Sequence, residues 1–307
     1  MTDDNVSSNL ASAWEYQRIW SLTANKLRKE ITRLRGVILI LAIAGAVLVT
    51  VGAQVSDAFQ ARRILSGLGA AALAAAPVIS RTKLGKDEVS DWIRARSASE
   101  GLKSEVYLYR AGADPYGDDD RDAALAARYN EILDNVNDIS LHAADVKPDT
   151  KGLPPEMDPE AYIELRVNAQ ADGYYLKTAA RLKGNLKQLR TLEFVLGAVA
   201  ALLALAATLP LDWFATGAAA WVAVATTAGA ALAAQIAANR YEHLITTYRA
   251  TARQLKSIRD DWLDRDPANR MSASDFIHAS ENAVSVENQG WMAKWTERPE
   301  SAEAEGS

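Results

Sequence analysis

Residues 36–56 read GVILILAIAGAVLVTVGAQVS, a run of 21 residues without Asp, Glu, Lys or Arg. A helix rises about 1.5 Å per residue and the hydrocarbon core of a bilayer is about 30 Å thick, so roughly 20 apolar residues span it. The stretch therefore predicts a transmembrane helix, and the same criterion can be applied to the rest of the chain.

Three further runs lack charged residues: 64–80, 194–211 and 213–239, which are 17, 18 and 27 residues long. The shortest run is flanked by arginine and lysine, whose aliphatic stems can lie along lipid while their charges reach the headgroups. The alternative is a soluble, alanine-rich bundle, in which charges would recur every three or four residues along each helix. None recur here. We therefore predict an all-α integral membrane protein with four transmembrane helices, arranged as two tandem hairpins that extend into a cytoplasmic helical bundle.

The overall composition conceals this pattern, because the charged residues, 24% of the chain, lie outside the four runs. The formal net charge of −5 does not point to nucleic acid, and we expect no nucleic-acid partner. The absence of cysteine excludes a disulfide framework and thiolate metal sites. Asp3 and Asp4 stand where a secretory signal peptide carries basic residues, so we expect the first membrane helix to act as the targeting signal.

Helical periodicity and chain breakers divide the sequence into five segments. We predict a disordered leader over 1–12, a first hairpin unit with cytoplasmic helices over 13–146, a linker over 147–159, a second hairpin unit with a C-terminal helix over 160–296, and a disordered tail over 297–307. Four prolines and one glycine between residues 147 and 159 identify the linker.

The two hairpin units resemble each other. A shift of 155 positions places Lys26-Leu27-Arg28 on Arg181-Leu182-Lys183 and Ile31 on Leu186. After each hairpin the tripeptide LKS occurs, at 102–104 and 255–257, and an aromatic residue follows five positions later. A unit of two helices buries little surface alone, so duplication is a natural route to a larger bundle.

Basic residues gather where the chain enters the first and third runs and where it leaves the second and fourth. The hairpin tips carry only Arg62 and Arg63, both in the first tip, and these two are the exception to an otherwise one-sided distribution. The positive-inside rule then predicts a multi-pass protein of the cell inner (plasma) membrane, with both termini and the central linker in the cytoplasm.

The second and fourth membrane helices are rich in small residues, with 6 alanines in 17 positions and 13 in 27. Small residues spaced four apart permit close approach of helix backbones. Two interpretations stay open: these helices line a pore, or they pack tightly with their hydroxyl groups bonded to their own backbone. The candidate pore-lining or helix-packing residues are Ser66, Gly67, Ala71, Ala75, Thr226, Thr227, Gly229, Ala233 and Gln235.

Catalytic patterns are not recognisable in the sequence. Charge-free spans argue against a voltage sensor, a proton relay or a charged substrate site in the membrane, but not against a passive pore with a hydrophobic gate. His142, His243 and His278 have no ligand spacing, and no phosphate-binding loop or nucleophile elbow is present. We expect no enzyme activity, no catalytic residues, no cofactor and no metal.

The most distinctive segment is the C-terminal helix, where residues 281–291 read ENAVSVENQGW. Following a helical hairpin, it resembles the end of bacterial SLATT domains, the SMODS- and SLOG-associating two-transmembrane effector domains, which overlap with a bacterial family named only as a domain of unknown function. The motif comprises Glu281, Val284, Ser285, Glu287, Asn288 and Trp291. Asn288 stands where histidine is expected, and the first half has no clear copy of the motif. Packing of Trp291 and Trp295 on the helical bundle is the alternative explanation.

This resemblance, extended over both hairpins, implies a tandem SLATT-type protein. Such proteins are regarded as membrane effectors of bacterial conflict or stress systems, which nucleotide-producing or nucleotide-sensing partners trigger to perturb the membrane. The implication comes from the family and not from the composition of this chain.

Our leading functional prediction is a homo-oligomeric pore or ion channel in the lipid bilayer, gated from the cytoplasmic side by a signalling partner. The alternative is a non-conducting membrane anchor or scaffold that recruits cytoplasmic partners. A transporter fits less well, because two parallel hairpins do not give the inverted repeats common in that class.

Overall fold

A computed structural model describes residues 7–55, 59–208 and 212–296, and the side chains of all of these except 59, 86, 212–216 and 286–296. The described residues form helices and no β-strand. The helices are α1 (Ser8–Gln54), α2 (Phe59–Lys83), α3 (Lys86–Arg110), α4 (Arg121–Asp134), α5 (Pro159–Tyr162), α6 (Lys177–Ala206), α7 (Asp212–Ala238), α8 (Tyr241–Asp264) and α9 (Ala273–Thr296). A 3₁₀ turn follows α4 (Asn137–His142), and a π-helical segment (Ile163–Leu176) joins α5 to α6.

The all-α prediction with four membrane helices is confirmed. Four of the described helices are long and apolar enough to cross a bilayer, within Ser8–Gln54, Gln60–Lys83, Pro159–Ala206 and Gly217–Asp264. The first and third are the ends of helices of 47 and 48 residues, so each apolar run continues a polar helix without a break. The order of long helix, membrane helix and polar helix occurs twice.

The predicted leader over 1–12 was too long, because α1 begins at Ser8. Ser7 accepts a hydrogen bond from the backbone N–H of Asn9, as a residue at a helix N-terminus does. Leu10 and Ala13 are buried, so tertiary packing stabilises this first turn. Residues 1–6 of the leader and the predicted tail over 297–307 lie outside the described residues.

Contacts between Cα atoms divide the chain into two compact units. The polar unit comprises residues 1–29, 86–177 and 247–307, and the membrane unit comprises 30–85 and 178–246. Each of the two predicted sequence halves therefore contributes to both units. The predicted boundaries at 146 and 160 describe the repeat along the sequence and stay a prediction.

Burial follows the repeat at the shift of 155 positions. Leu27 and Leu182 are buried, as are Ile31 and Leu186. The pair Thr23-Ala24 also recurs as Thr178-Ala179 at the same shift, and all four residues are buried. Leu102 and Leu255 of the two LKS tripeptides are both buried. Matching burial at matching positions supports the duplication more strongly than the residue identities alone.

Aromatic side chains build the core of the polar unit. Tyr162, Tyr175, Tyr248 and Phe276 are almost completely buried. The rings of Phe276 and Trp262 stack with their centroids 4.7 Å apart. Offset aromatic pairs contribute about 0.5–1.5 kcal/mol beyond the area they bury. These rings hold α8, α9 and the segment that leads into α6 in one unit.

Glycines bring α1 and α2 close together in the membrane unit. A Cβ atom built at Gly69 would lie 2.8 Å from the carbonyl oxygen of Gly45 and 2.8 Å from the backbone nitrogen of Val49. A Cβ at Gly52 would lie 2.6 Å from Ser66 Oγ. Only glycine fits these positions without movement of the partner helix.

We expect Gly69→Ala to destabilise the α1–α2 hairpin by about 1–3 kcal/mol, because the new methyl group meets backbone atoms of Gly45 and Val49 as well as a methyl group of the Val49 side chain, and backbone atoms cannot move aside without shifting the helix. Gly67→Ala is the matched control two residues away: among the described residues, no heavy atom lies within 4 Å of a Cβ there. The thermal unfolding midpoint in detergent should fall for Gly69→Ala and stay level or rise for Gly67→Ala. Equal midpoints would contradict the close helix crossing.

Candidate functional site

A buried ion pair links the π-helical segment to α9. Arg166 Nε lies 2.7 Å from Glu281 Oε1 and Arg166 Nη2 lies 2.7 Å from Oε2, a two-point pairing. The hydroxyl of Tyr162 also donates to Glu281 Oε1, over 2.8 Å. The side chains of Arg166 and Glu281 are 3% and 5% exposed, so water does not screen the pair. The guanidinium Cζ of Arg166 lies 4.5 Å from the centre of the Tyr107 ring of α3.

The electrostatics of this network keep both partners charged. Burial alone would raise the pKa of Glu281, but the charge of Arg166 and hydrogen bonds from Arg166, Tyr162 and Ser104 outweigh it, so that pKa is lowered. Burial would lower the pKa of Arg166, but Glu281 raises it. Burial and the neighbouring carboxylate together raise the pKa of the Tyr162 hydroxyl. The three groups form one interdependent cluster, which we name the buried ion-pair cluster.

The structure shows where the first residues of the C-terminal motif lie. Glu281 accepts the hydrogen bonds just described, Val284 is buried, and Ser285 is half-buried. The side chains of Glu287, Asn288 and Trp291 lie outside the described residues, although their backbone belongs to α9. The sequence analysis did not identify Arg166, whose partner is 115 positions away.

A second cluster surrounds a cavity of about 240 Å³ in the polar unit. Three segments form its wall: the middle of α1, the middle of α3, and the end of the π-helical segment. We name it the cationic pocket, and its lining residues are Ser21, Ala24, Asn25, Arg28, Trp92, Arg96, Ser99, Glu100, Lys103, Gln170, Tyr174 and Tyr175.

Positive charge exceeds negative charge in the cationic pocket. Arg28, Arg96 and Lys103 face one carboxylate, Glu100, which Lys103 Nζ approaches to 2.7 Å. Burial would raise the pKa of Glu100, but the charges of Lys103, Arg166 and Arg96 lower it to about 2. Glu100 is therefore ionised at neutral pH, and the wall retains an excess of two positive charges.

Two of the four candidate residues of α2 lie on a surface that the chain leaves uncovered. Gly67 and Ala71 are exposed, while Ser66 and Ala75 are half-buried. The close contact with α1 uses Gly69, which was not among the predicted residues, and Ser66, which was. A role for Gly67, Ala71 and Ala75 in a pore or in packing between chains stays a prediction.

The candidates on α7 are also divided between faces. Thr226 is exposed, and its hydroxyl donates to the carbonyl oxygens of Val222 and Ala223 at 2.9 and 3.1 Å. Thr227, Gly229, Ala233 and Gln235 are half-buried. The bonding of Thr226 to its own helix is what the dry-packing interpretation requires, and it does not prevent the hydroxyl from facing a pore.

One face of α7 forms a continuous exposed stripe of small residues. Its members recur every three or four positions and run almost the full length of the helix. The α7 stripe consists of Ala219, Ala223, Thr226, Ala230, Ala234 and Ala237. The opposite face, which includes Val224, Ala228 and Leu232, is buried within the membrane unit.

The surface of α6 has a different character. Large apolar side chains project from it, with Phe194 76% exposed and Leu205 67% exposed. In the most apolar stretch of 18 residues in this helix, 6% of the residues are buried within the chain, compared with 22% in the corresponding stretch of α7. Large apolar side chains suit lipid contact, whereas small ones suit contact with another helix.

Two family models match the chain. Residues 162–291 match the family described as SMODS and SLOG-associating 2TM effector domain 1. Residues 18–124 match the family described as Protein of unknown function (DUF4231). No curated protein and no solved structure matches the chain.

Each matched segment contains one membrane hairpin. The match to the SMODS and SLOG-associating family ends at Trp291, the last residue of the predicted motif. The resemblance inferred from residues 281–291 is therefore confirmed. Tyr162, Arg166 and Glu281 of the buried ion-pair cluster all lie within the SLATT-type match. The cationic pocket, in contrast, draws its wall from both matched segments.

Proposed function

We propose that this chain, which carries a SLATT-type two-transmembrane effector domain over residues 162–291, forms a homo-oligomeric pore that perturbs the membrane. The observation that carries the proposal is the α7 stripe, a charge-free line of small residues that the chain leaves exposed along a bilayer-length helix. Another copy of α7 can approach such a surface closely, whereas lipid gains little from alanine.

The chemistry of the spans favours a passive path. The four runs contain no charged residue that would bind a charged substrate or relay protons at the midplane. A ring of α7 helices that meet along the stripe would surround the axis with small, uncharged side chains. Such a wall can exclude water at rest and admit it when the helices separate, which is gating by a hydrophobic constriction.

The polar unit is the natural place for the gate, and we assign it to the cytoplasm. The α1 helix runs unbroken from the polar unit into its apolar run, and α5, the π-helical segment and α6 follow one another without a loop. In this proposal, a signal received in the polar unit reaches the apolar runs along these helices. The proposal needs no catalytic step, cofactor, metal or nucleic acid, and it leaves a place for a cytoplasmic signalling partner as the trigger.

The orientation can be tested with single cysteines, since the chain has none of its own. We expect Gly152→Cys, in the exposed linker, to be labelled by a membrane-impermeant maleimide only after the cells are permeabilised. Arg62→Cys, at the first hairpin tip, should be labelled in intact spheroplasts. The reverse pattern would place the polar unit outside the cell and contradict gating from the cytoplasm.

The decisive functional experiment is ion flux through purified protein in liposomes, together with the mass of the particle in nanodiscs. Flux from a defined oligomer would support the pore, and release of dyes of graded size would give its width. No flux from a folded monomer or dimer would overturn a constitutive pore and favour the non-conducting scaffold.

If the purified protein forms an oligomer larger than a dimer that conducts no ions, a further test can be made in cells. If the protein is an effector that needs a trigger, its overproduction should depolarise the membrane of cells under stress but not of resting cells. A variant that cannot assemble should leave the potential unchanged in both conditions. Equal potentials with and without assembly would contradict the effector function.

A further inference from the structure

The geometry points to the cationic pocket as a binding site for a phosphate monoester group. Such a site would be separate from the pore and would not depend on it. The size of the cavity, the charge of its wall and the rings at its edge support this assignment.

The size of the cavity favours a small bound group. A volume of about 240 Å³ holds roughly eight water molecules at about 30 Å³ each. It lies below the roughly 300–1,000 Å³ that is usual for pockets enclosing drug-sized ligands. A phosphate group with a short substituent fits a volume of this size.

The charge of the pocket wall also favours a phosphate monoester. Its excess of two positive charges matches a phosphate monoester, which carries about −1.5 to −2 charges at neutral pH. Two of the three cations are arginines, Arg28 and Arg96, whose planar guanidinium groups match phosphate oxygens in two-point hydrogen bonds. Lys103 supplies the third positive charge and donates a hydrogen bond to Glu100, whose carboxylate also interacts with the charge of Arg96.

Neutral groups complete the site. Ser99 Oγ accepts a hydrogen bond from Gln17 Nε2 over 3.1 Å, so its own hydroxyl hydrogen can be donated to a phosphate oxygen. Trp92, Tyr174 and Tyr175 provide apolar and ring surface beside the cations, and the two tyrosine rings meet edge to face with centroids 5.2 Å apart. This surface suits the short organic substituent of a monoester.

Two sources can present this chemistry: a soluble phosphate ester, or the headgroup of phosphatidic acid. Both are compatible with the position of Arg28, eight residues before the first apolar run of α1. The test therefore uses the full chain in phosphatidylcholine nanodiscs, titrated calorimetrically with inorganic phosphate and with ethyl phosphate. A second arm uses nanodiscs that contain a minor fraction of phosphatidic acid, and lipid retention is measured by mass spectrometry.

The repeat supplies matched controls. Lys103 and Arg96 of α3 correspond to Lys256 and Arg249 of α8 by the alignment of the two LKS tripeptides. We expect Lys103→Gln and Arg96→Gln each to weaken binding about tenfold or more, the loss expected for a charged hydrogen bond. Lys256→Gln and Arg249→Gln, which lie outside the pocket, should bind as the parent does.

A gain of affinity protects the test against misfolding. Glu100→Gln removes the one carboxylate of the wall, so we expect it to tighten binding of ethyl phosphate several-fold. If the variants rank in this order of affinity with ethyl phosphate, the ligand is a soluble ester. If they rank in this order only with phosphatidic acid, the ligand is the lipid headgroup. Absence of binding in both arms, or equal loss in the pocket and control variants, would overturn the site.

Discussion

Arg166→Met is expected to lower the free energy of unfolding of the polar unit by about 3–5 kcal/mol, because it leaves the carboxylate of Glu281 buried without a countercharge. Attraction between two buried charges compensates for the loss of their hydration only while both are present. Urea titration of the protein in nanodiscs, followed by tryptophan fluorescence, measures the change. A loss below about 1 kcal/mol would contradict the buried pairing.

The matched control is Arg94→Met on α3. Arg94 also pairs with a carboxylate in two-point fashion, that of Asp138, but the side chains are 32% and 65% exposed. Water can replace the lost partner there, so we expect a loss of at most about 1 kcal/mol. The two variants remove the same group and differ in burial, which isolates desolvation as the cause.

The double variant Arg166→Met with Glu281→Leu gives a sharper comparison. We expect it to be more stable than either single variant, since no buried charge is left alone. It should not recover fully, because the Tyr162 hydroxyl loses its acceptor, at a cost of about 1–3 kcal/mol. Additive losses would mean that the two side chains act independently.

The same cluster predicts a dependence on pH. The pKa of Glu281 is lowered in the folded protein, so its contribution is complete above the unfolded value of about 4.3 and is lost as pH falls through the folded value. The stability difference between the parent and Glu281→Gln should therefore be largest at neutral pH and narrow in acid. A difference that widens on acidification would show the opposite sign of linkage.

Ala230→Leu is expected to disrupt assembly and abolish flux, the second large effect. Ala230 lies in the middle of the α7 stripe, and a leucine there holds two helices apart by the width of its side chain. Loss of about 1–2 kcal/mol per helix contact weakens association roughly tenfold at each interface, and these losses combine around a ring. Particle mass in nanodiscs and ion flux in liposomes measure the two consequences.

Ala201→Leu on α6 is the control for the membrane environment. Ala201 is also exposed and lies in a charge-free run, among large apolar side chains that suit lipid. The same substitution should leave mass and flux unchanged. If Ala201→Leu is as harmful as Ala230→Leu, or if neither changes the particle, the α7 stripe is not the interface between copies.

The membrane helices were predictable because insertion depends on contiguous residues. The run from Gly36 to Ser56 excludes charge over a bilayer thickness whatever the rest of the chain does, and α1 follows it through Gln54. The C-terminal motif was also predictable from the sequence, because residues 281–291 are contiguous and occur within one helix and within the SLATT-type match. Local properties of this kind need no knowledge of the fold.

The faces through which the helices pack against each other could not be predicted in the same way. Gly67 and Gly69 look equivalent in sequence, yet only Gly69 meets α1, because the rotation of each helix about its axis is set by its neighbours. Pairing of Arg166 with Glu281 joins positions 115 apart, and the cationic pocket joins residues of α1, α3 and the π-helical segment. The sequence alone determined which segments enter the membrane, because hydropathy acts residue by residue along a helix. Only the tertiary structure decided which side chains meet, because burial of a charge or a glycine contact depends on groups far away in the chain.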